Sequence, residues 1–257
     1  MIQFYDVPFS PFAQKVKIAL LEKGLDYETP PAELGPDTAL SEVNPRGEVP
    51  ALVDDGLAIF DSSIILEYLE DRYPEHPLRP ADAAGRARVR MIEEVCDGPF
   101  EAVNWGLNEM IGFKRASGDL ADHILAHATE EVRQLQAWLE SQLGGRDWFN
   151  GDAFGYGDLA VWPYVQTATV FKRGPAEGSA LAAWHARMGA RESVQRTIAE
   201  VKASLPLIRE LGAKFSSGAV PRQFRDHRLE FMLRAGGLDV VTQGVEKGTI
   251  RFSTLPG

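Results

Sequence analysis

The sequence predicts an α/β N-terminal domain followed by an all-α C-terminal domain. Strand and helix patterns alternate over the first 78 residues, a proline-rich segment follows, and strand patterns almost disappear after residue 84. The 257 residues are enough for two domains of ordinary size. We therefore predict an N-terminal domain at 1–78, a helical domain at 84–211 and a partly helical tail at 212–257.

The N-terminal part shows the order β-α-β followed by β-β-α, which a single sheet covered by helices accommodates. Ser10-Pro11 is typical of a helix start, and Gly24 of a helix end. The Asp-Asp-Gly segment at 54–56 lies between two apolar runs and strongly indicates a hairpin. The predicted strands lie at 2–5, 25–28, 49–53 and 57–60, the helices at 10–24 and 62–73, and a loop at 30–46.

Three prolines within residues 74–80 predict an extended linker. After it, Gly98-Pro99 interrupts the first helical pattern, so we expect a kink or a break there. Gly144-Gly145 closes the second pattern. The predicted helices lie at 84–114, 120–143, 156–171, 181–188, 193–211, 222–234 and 238–245.

The charge and composition exclude several classes of function. A net charge of −10 disfavours nucleic acids and anionic membranes as partners, because both are negatively charged. No apolar run approaches the ~18 residues of a membrane span, and the first residues lack the basic and apolar stretches of a signal peptide. Cys96 is the only cysteine, so an internal disulfide is impossible. We therefore expect a cytoplasmic protein without a nucleic-acid or membrane partner.

Ser10 has two interpretations from the sequence alone. A serine followed by proline is a common helix start in which the serine is the N-cap. The same place also suits chemistry, because a helix N-terminus stabilises an anion such as a thiolate. In that case the serine hydroxyl would donate a hydrogen bond to a bound thiolate and would not itself be the nucleophile.

Two further segments carry a structural and a functional interpretation. Val49-Pro50 is either an ordinary loop entering a strand or a cis-proline turn that leaves the Val49 backbone free to pair with an extended peptide. Asp61 or Ser62 caps the next helix. Beyond capping, Ser62 and the helix N-terminus suit a carboxylate and Asp61 suits an ammonium group, so together they match an α-amino acid head group.

Four segments carry a resemblance to a known family. NPRGEVPALVDDG, IFDSSIILEYLEDRYP and GDAFGYGDLAV, in this order, strongly resemble the glutathione transferase superfamily. The opening SPFAQKVKIALLEKGLDYE resembles its serine-type members, such as the plant tau class and related bacterial enzymes, with the omega class as a near neighbour. The resemblance covers residues 2–210 and implies a thioredoxin-like glutathione-binding domain followed by an all-helical domain, the glutathione transferase fold.

The resemblance implies a glutathione site. Ser10 stands where serine-type members hold their thiolate-stabilising serine, and Val49 before Pro50 stands where the backbone pairs with the cysteinyl unit. Asp61 and Ser62 stand where an acidic residue and a serine hold the γ-glutamyl head group. The set of implied glutathione-binding residues is completed by Glu48, at a variable position that flanks the site.

Asp158 matches the capping aspartate that supports folding in the family, and its place three residues after Gly155 also indicates a structural cap. Gly155 departs from the family pattern, which has Ser or Thr at that cap. The tail beyond residue 212 also exceeds the usual family length.

The implied activity is attack of the glutathione thiolate on an apolar electrophile by conjugation, dehalogenation or ether cleavage, with glutathione as co-substrate and no metal. The resemblance also implies a homodimer. The alternative is a protein of the same fold that binds ligands or partners without catalysis. A thiol–disulfide oxidoreductase is disfavoured, because it needs a cysteine at the helix start and only Cys96 is present.

The remaining candidates are weaker. Tyr5 rivals Ser10, since tyrosine-type transferases use a tyrosine from the first strand. His123 and His127 have helical i, i+4 spacing but lack a third ligand, which favours a solvated helix face over a metal site. The candidate walls of an electrophile pocket between the domains are Phe12, Trp105 and Phe113, each of which also fits a core position.

Overall fold

A computed structural model describes residues 1–32, 38–217 and 226–250. Its N-terminal part is a four-stranded sheet in the order β2-β1-β3-β4. Three helices accompany the sheet, and the second of them lies inside the segment that the sequence predicted as a loop. The elements are β1 (Ile2–Tyr5), α1 (Pro11–Glu22), β2 (Tyr27–Glu28), α2 (Ala39–Val43), β3 (Ala51–Asp54), β4 (Leu57–Phe60) and α3 (Ser62–Arg72).

The sheet is mixed, and its hairpin is the predicted one. β1 runs parallel to β2 and antiparallel to β3, while β3 and β4 are antiparallel. Asp55 and Gly56 connect β3 to β4 with φ angles of 49° and 81°. Positive φ at both central residues is what a two-residue turn needs to match the twist of a hairpin. Two strand predictions were too long, because pairing begins only at Tyr27 in β2 and at Ala51 in β3.

The remainder of the described chain is helical. Gly98-Pro99, where the sequence predicted a kink or a break, lies in a π-helical segment, Cys96–Phe100, so the helical run is widened there and does not break. Proline has no N–H to donate, and a π turn tolerates that loss inside a helical run. The elements are α4 (Ala83–Val95), α5 (Glu101–Leu107), a second π segment (Asn108–Gly112), α6 (Gly118–Leu143), α7 (Tyr156–Val170), α8 (Ala180–Gly189), α9 (Glu192–Ala203), α10 (Leu205–Ser217), α11 (His227–Arg234) and α12 (Leu238–Glu246).

The prediction of one helix at 193–211 is wrong. The structure divides it into α9 and α10 around Ser204, and α10 continues to Ser217. Pro206 explains the division, because proline fits the first turn of a new helix but not the interior of a continuing one. Residue 212 consequently lies inside a helix. The predicted helix at 222–234 is described only from His227, since residues 222–225 lie outside the described ranges.

The main hydrophobic core is continuous between the sheet and the helices. It contains side chains from β1, α1 and α3 together with side chains from α4, α6 and α7, and α1 packs directly on α7. Cys96 is part of this core. On the other face of the sheet a smaller cluster contains Tyr5, Val7, Leu40, Val49 and Ala51. Within the described ranges, no helix combines the length and the apolar character needed to cross a membrane.

Candidate functional site

Three chain segments meet at one edge of the sheet. The strand register places Tyr5 opposite Ala51, and Ala51 opposite Phe60, so these residues form one row across β1, β3 and β4. The loop to Ser10 leaves β1 at this edge, Val49-Pro50 enters β3 there, and Asp61 follows β4 there. With strands about 4.8 Å apart, the row is about 10 Å long. The register therefore brings together the three segments that the sequence singled out.

Ser10 is the N-cap of α1. Its Oγ accepts a hydrogen bond from the Ala13 N–H at 3.3 Å, and its own N–H donates to the Val7 carbonyl at 2.8 Å. The side chain is half-buried, and Pro11 occupies the first helical position. A hydroxyl that accepts at a cap still has its O–H to donate. The geometry therefore allows capping and donation to a bound anion at the same time.

Tyr5, the alternative to Ser10, lies within β1 and is buried in a cluster with Val49. It belongs to the small buried cluster that also contains Val49 and Val7. Ser10 instead lies at the helix N-terminus, where the partial positive charge of the helix is concentrated. Its position favours Ser10 over Tyr5 as the residue that would stabilise a thiolate. The choice between the two stays a prediction.

The Val49-Pro50 peptide bond is cis, as the functional interpretation of this turn requires. Neither backbone polar group of Val49 forms a hydrogen bond with the described residues. Asn44 shapes the turn, since its Nδ2 donates to the Glu48 carbonyl at 2.7 Å and its Oδ1 accepts from the Arg46 N–H at 3.0 Å. The backbone of Val49 thus stands at the sheet edge like an unpaired strand, and an extended peptide can pair with it.

The role of Asn44 was not predicted from the sequence. It is almost fully buried, and its amide fixes the loop that carries Glu48 and Val49. Its position at the start of an Asn-Pro-Arg-Gly turn is the available signal, because asparagine commonly bonds to the backbone two residues further on. The half-buried Glu48 lies beside Val49 at the rim of the same edge, and its proposed role stays a prediction.

Asp61, and not Ser62, caps α3. Its Oδ1 accepts from the N–H groups of Ser63 at 3.0 Å and Ile64 at 3.3 Å. Asp61 is exposed and has a φ of 77°, a conformation that a residue with a side chain rarely adopts. Ser62 follows at the first helical position and is buried. This pair combines a carboxylate, a hydroxyl and a helix N-terminus within two residues.

The three candidate pocket residues lie on different elements. Phe12 is half-buried in the first turn of α1, with its ring edge-on to Tyr164 at 6.3 Å. Trp105 is half-buried on α5. Phe113 is buried and packs edge-on against Phe215 of α10 at 5.2 Å. A shared pocket formed by Phe12, Trp105 and Phe113 stays a prediction.

Asp158 lies at the start of α7 and has a purely structural environment. It is fully buried and accepts from the N–H groups of Phe149 at 2.9 Å and Gly155 at 3.0 Å, and from the Trp184 Nε1 at 2.8 Å. Burial raises the pKa of Asp158 to about 6, although these donors counteract it. The structure also explains Gly155, because a Cβ there would lie 2.1 Å from the Leu78 carbonyl oxygen.

His123 and His127 are exposed on α6, and the Nε2 of His127 lies 3.2 Å from Glu131. Among the side chains of residues 1–32, 38–217 and 226–250, no group of three or more His, Cys, Asp or Glu is placed to hold a metal ion.

Comparison with known families identifies the fold. Residues 4–77 match the model of the glutathione S-transferase N-terminal domain, and residues 122–187 match that of the C-terminal domain. A maleylacetoacetate isomerase from Pseudomonas aeruginosa is 33% identical over 193 residues, covering 71% of this chain and 86% of the relative. The chain belongs to the glutathione transferase superfamily. Like its curated relatives named glutathione S-transferases, it is a transferase enzyme.

Solved structures agree with this assignment. A glutathione S-transferase from Rhodospirillum rubrum is 32% identical with a TM-score of 0.69, covering 77% of this chain and 91% of that one. A rice glutathione transferase in complex with glutathione is 29% identical with a TM-score of 0.67, covering 83% of this chain and 97% of that one. The thioredoxin-like N-terminal domain and the helical C-terminal domain are thereby confirmed.

Proposed function

We propose that this transferase binds glutathione along the edge formed by β1, β3 and β4 and activates its thiol beside Ser10. The convergence of Ser10, Val49 and Asp61 at one edge carries the proposal. Three residues of extended peptide span at most about 10 Å, which is also the length of the row of three strands. A tripeptide therefore reaches from the start of α1 to the start of α3.

The γ-glutamyl and cysteinyl units of glutathione each have a chemically suitable neighbour in this arrangement. The α-carboxylate of the γ-glutamyl unit is placed at the N-terminus of α3 with Ser62, and its ammonium group at Asp61. The cysteinyl backbone pairs with the N–H and C=O groups of Val49, as an added strand would. Glu48 flanks the head group, and the sulfur lies at the N-terminus of α1.

Thiol activation is the chemical step assigned to this edge. The thiol releases its proton to solvent, and the remaining thiolate accepts a hydrogen bond from the Ser10 hydroxyl. One charge-assisted hydrogen bond contributes about 1.5–3 kcal/mol, enough to lower a thiol pKa by about one to two units. The thiolate sulfur then bonds to an electrophilic carbon, and a leaving group departs with the bonding electrons. Phe12, Trp105 and Phe113 are the proposed apolar walls around that carbon.

The name of the Pseudomonas relative favours a second candidate reaction, glutathione-assisted isomerisation. The thiolate would add to a conjugated carbon of an unsaturated acid, the weakened double bond would rotate, and the sulfur would leave again. The two reactions differ in the fate of glutathione. Conjugation to a chlorodinitrobenzene consumes one glutathione per product, whereas isomerisation of maleylacetoacetate leaves the glutathione concentration unchanged.

Isothermal titration of the purified protein with glutathione tests the proposal. We expect saturable binding at one site per chain and competition by S-methylglutathione, which has the same backbone and head group. Absence of binding at millimolar glutathione would overturn the proposed site and favour a protein that uses this fold without glutathione.

We further propose a homodimer located in the cytoplasm. Apolar side chains of Leu57, Ile64 and Met91 are exposed on β4, α3 and α4, where a second copy can cover them. Light scattering is expected to give twice the chain mass of 28.3 kDa. A monomer at micromolar concentration would contradict the dimer without affecting the glutathione site.

A further inference from the structure

A buried cluster of charges contacts α1 and α3, the two helices that begin at the proposed glutathione site. Lys15 of α1 is fully buried, and its Nζ lies 3.0 Å from the Glu93 Oε1 and 2.6 Å from the Asp97 Oδ2. Glu93 belongs to α4 and Asp97 to the first π segment. The cluster therefore joins the helix that begins at Ser10 to the helical domain.

Glu93 also holds the other helix of the site. The Ser63 Oγ donates to the Glu93 Oε1 at 2.8 Å, and Arg90 donates to the second oxygen. Ser63 comes directly after Asp61 and Ser62, and its N–H is one of the two that Asp61 caps. A single carboxylate thus contacts α1 through Lys15 and the first turn of α3 through Ser63.

The charge state of Glu93 suits this role. Burial alone would raise its pKa, but Lys15 and Arg90 outweigh burial and hold the pKa of Glu93 below its usual range. The carboxylate is therefore ionised at neutral pH, and it accepts hydrogen bonds from Lys15, Arg90 and Ser63. Charge-assisted bonds of this kind fix geometry more tightly than neutral ones.

An interdomain ion pair with no connection to the site would need only Lys15, Arg90 and the two carboxylates. The Ser63 hydroxyl adds nothing to that charge balance, yet it donates its hydrogen bond to Glu93. The backbone carbonyl of Ser63 also accepts from the Tyr156 hydroxyl at 3.4 Å. The first turn of α3 is consequently held by two helices of the other domain, α4 and α7.

We propose that Ser63 and Glu93 are positioning residues for glutathione, which set the distance between the thiolate position at α1 and the γ-glutamyl position at α3. The inference rests on the proposed function and deepens it. Neither side chain need touch the ligand. The hydroxyl of Ser63 orients the turn that carries Asp61 and Ser62, and Lys15 ties the same carboxylate to α1.

Ser63→Ala tests the proposal, because it removes one hydroxyl and leaves Glu93 paired with Lys15 and Arg90. We expect the KM for glutathione to rise about tenfold, equivalent to about 1.4 kcal/mol, with kcat and the KM for the electrophile nearly unchanged. The Kd of S-methylglutathione should rise by the same factor, and the pKa of the bound glutathione thiol should stay where it is in the wild type. Ser63→Thr, which keeps the hydroxyl at this half-buried position, should restore the wild-type values.

Ser193→Ala is the matched control. Ser193 also donates its Oγ to a glutamate, Glu22, between two helices, but its bond lies between α9 and the far end of α1. This variant should lose similar stability and keep the wild-type KM. An unchanged KM in Ser63→Ala, an equal rise in Ser193→Ala, or a failed rescue by Ser63→Thr would each overturn the proposal. If the wild type itself does not bind glutathione, the proposed function fails, and the wild-type titration identifies that outcome.

Discussion

The helix starts of α3 and α7 both depend on an aspartate, but they use it differently. Asp158 of α7 is fully buried, and its two oxygens accept three N–H groups of the protein. Asp61 of α3 is exposed, and only its Oδ1 is engaged in capping among the described residues. The start of α7 is also tightly packed, since even a Cβ on Gly155 would collide with the Leu78 carbonyl.

The difference fits a structural cap at α7 and the proposed glutathione site at α3. At α7 the protein satisfies its own donors, so the aspartate contributes stability. At α3 the carboxylate keeps one oxygen for another partner, and its backbone holds a φ of 77°. Strained backbone and incompletely used polar groups are typical of functional positions. Substitutions that affect stability at one helix start and ligand binding at the other test this distinction.

The largest expected effect is on stability at α7. Asp158→Asn turns an N–H donor of its amide toward one of the buried N–H groups and leaves it unpaired, so we expect a loss of about 3–5 kcal/mol in the free energy of unfolding at pH 7. Urea denaturation followed by circular dichroism measures the loss. A loss below about 1 kcal/mol would show that the buried cap is dispensable.

The cost of Asp158→Asn should also depend on pH. Because the folded pKa is raised to about 6 from an ordinary value of 3.8, the folded state binds the proton more tightly than the unfolded state. The contribution of Asp158 is therefore complete below about pH 4 and falls as the pH rises through 6, by up to about 3 kcal/mol. Unfolding curves of wild type and variant between about pH 3.5 and 6.5, which spans the transition, should show a larger difference at the acidic end. An opposite trend would mean that the N–H donors dominate over burial.

At α1 the expected effect is on thiol activation and catalytic rate. Ser10→Ala should raise the pKa of the bound glutathione thiol and lower kcat/KM about tenfold to a hundredfold at pH 6.5, with stability changed by about 1 kcal/mol at most through the lost cap. Tyr5→Phe is the matched control, since it removes a hydroxyl from the same edge and should leave kcat/KM nearly unchanged. Loss of activity in Tyr5→Phe with retention in Ser10→Ala would reverse the assignment.

The smallest effect is expected at α3. Asp61→Asn retains an oxygen for the cap and removes the negative charge, so stability should change by less than about 0.5 kcal/mol. The Kd of glutathione should rise about fivefold to tenfold, because the ammonium group loses an ionic partner worth about 1 kcal/mol. The difference in Kd between wild type and Asp61→Asn should be smaller at high salt. Equal affinity for glutathione in wild type and variant would remove Asp61 from the proposed site.

The helix starts and the convergence of the site could be predicted from the sequence. Capping residues act within three or four positions, so Ser10 and Asp61 are recognisable locally. The hairpin turn at Asp55-Gly56 then places the start of β3 and the end of β4 at the same edge. The sequence also indicated a disturbed helix at Pro99, although not that the chain would continue through it as a π segment.

The charge cluster could not be predicted in the same way. Lys15 lies in a helix whose pattern gives no indication that a lysine is buried, and its partners Glu93 and Asp97 are 78 and 82 residues further along the chain. Pairing over that distance depends on how the two domains pack. The boundary between α9 and α10 is hard to predict for another reason, since the helical pattern continues across Pro206, which lies in the first turn of the new helix.

The segment that joins the domains has a mechanical consequence. The carboxylate of Glu70 accepts the Leu78 N–H at 3.0 Å, and the Leu78 carbonyl accepts the Tyr156 N–H at 2.7 Å. The connection is hydrogen-bonded to α3 on one side and to α7 on the other, so it is not a free hinge. These bonds therefore oppose rotation of the two domains about the connection, and a relative movement of the domains would have to break them.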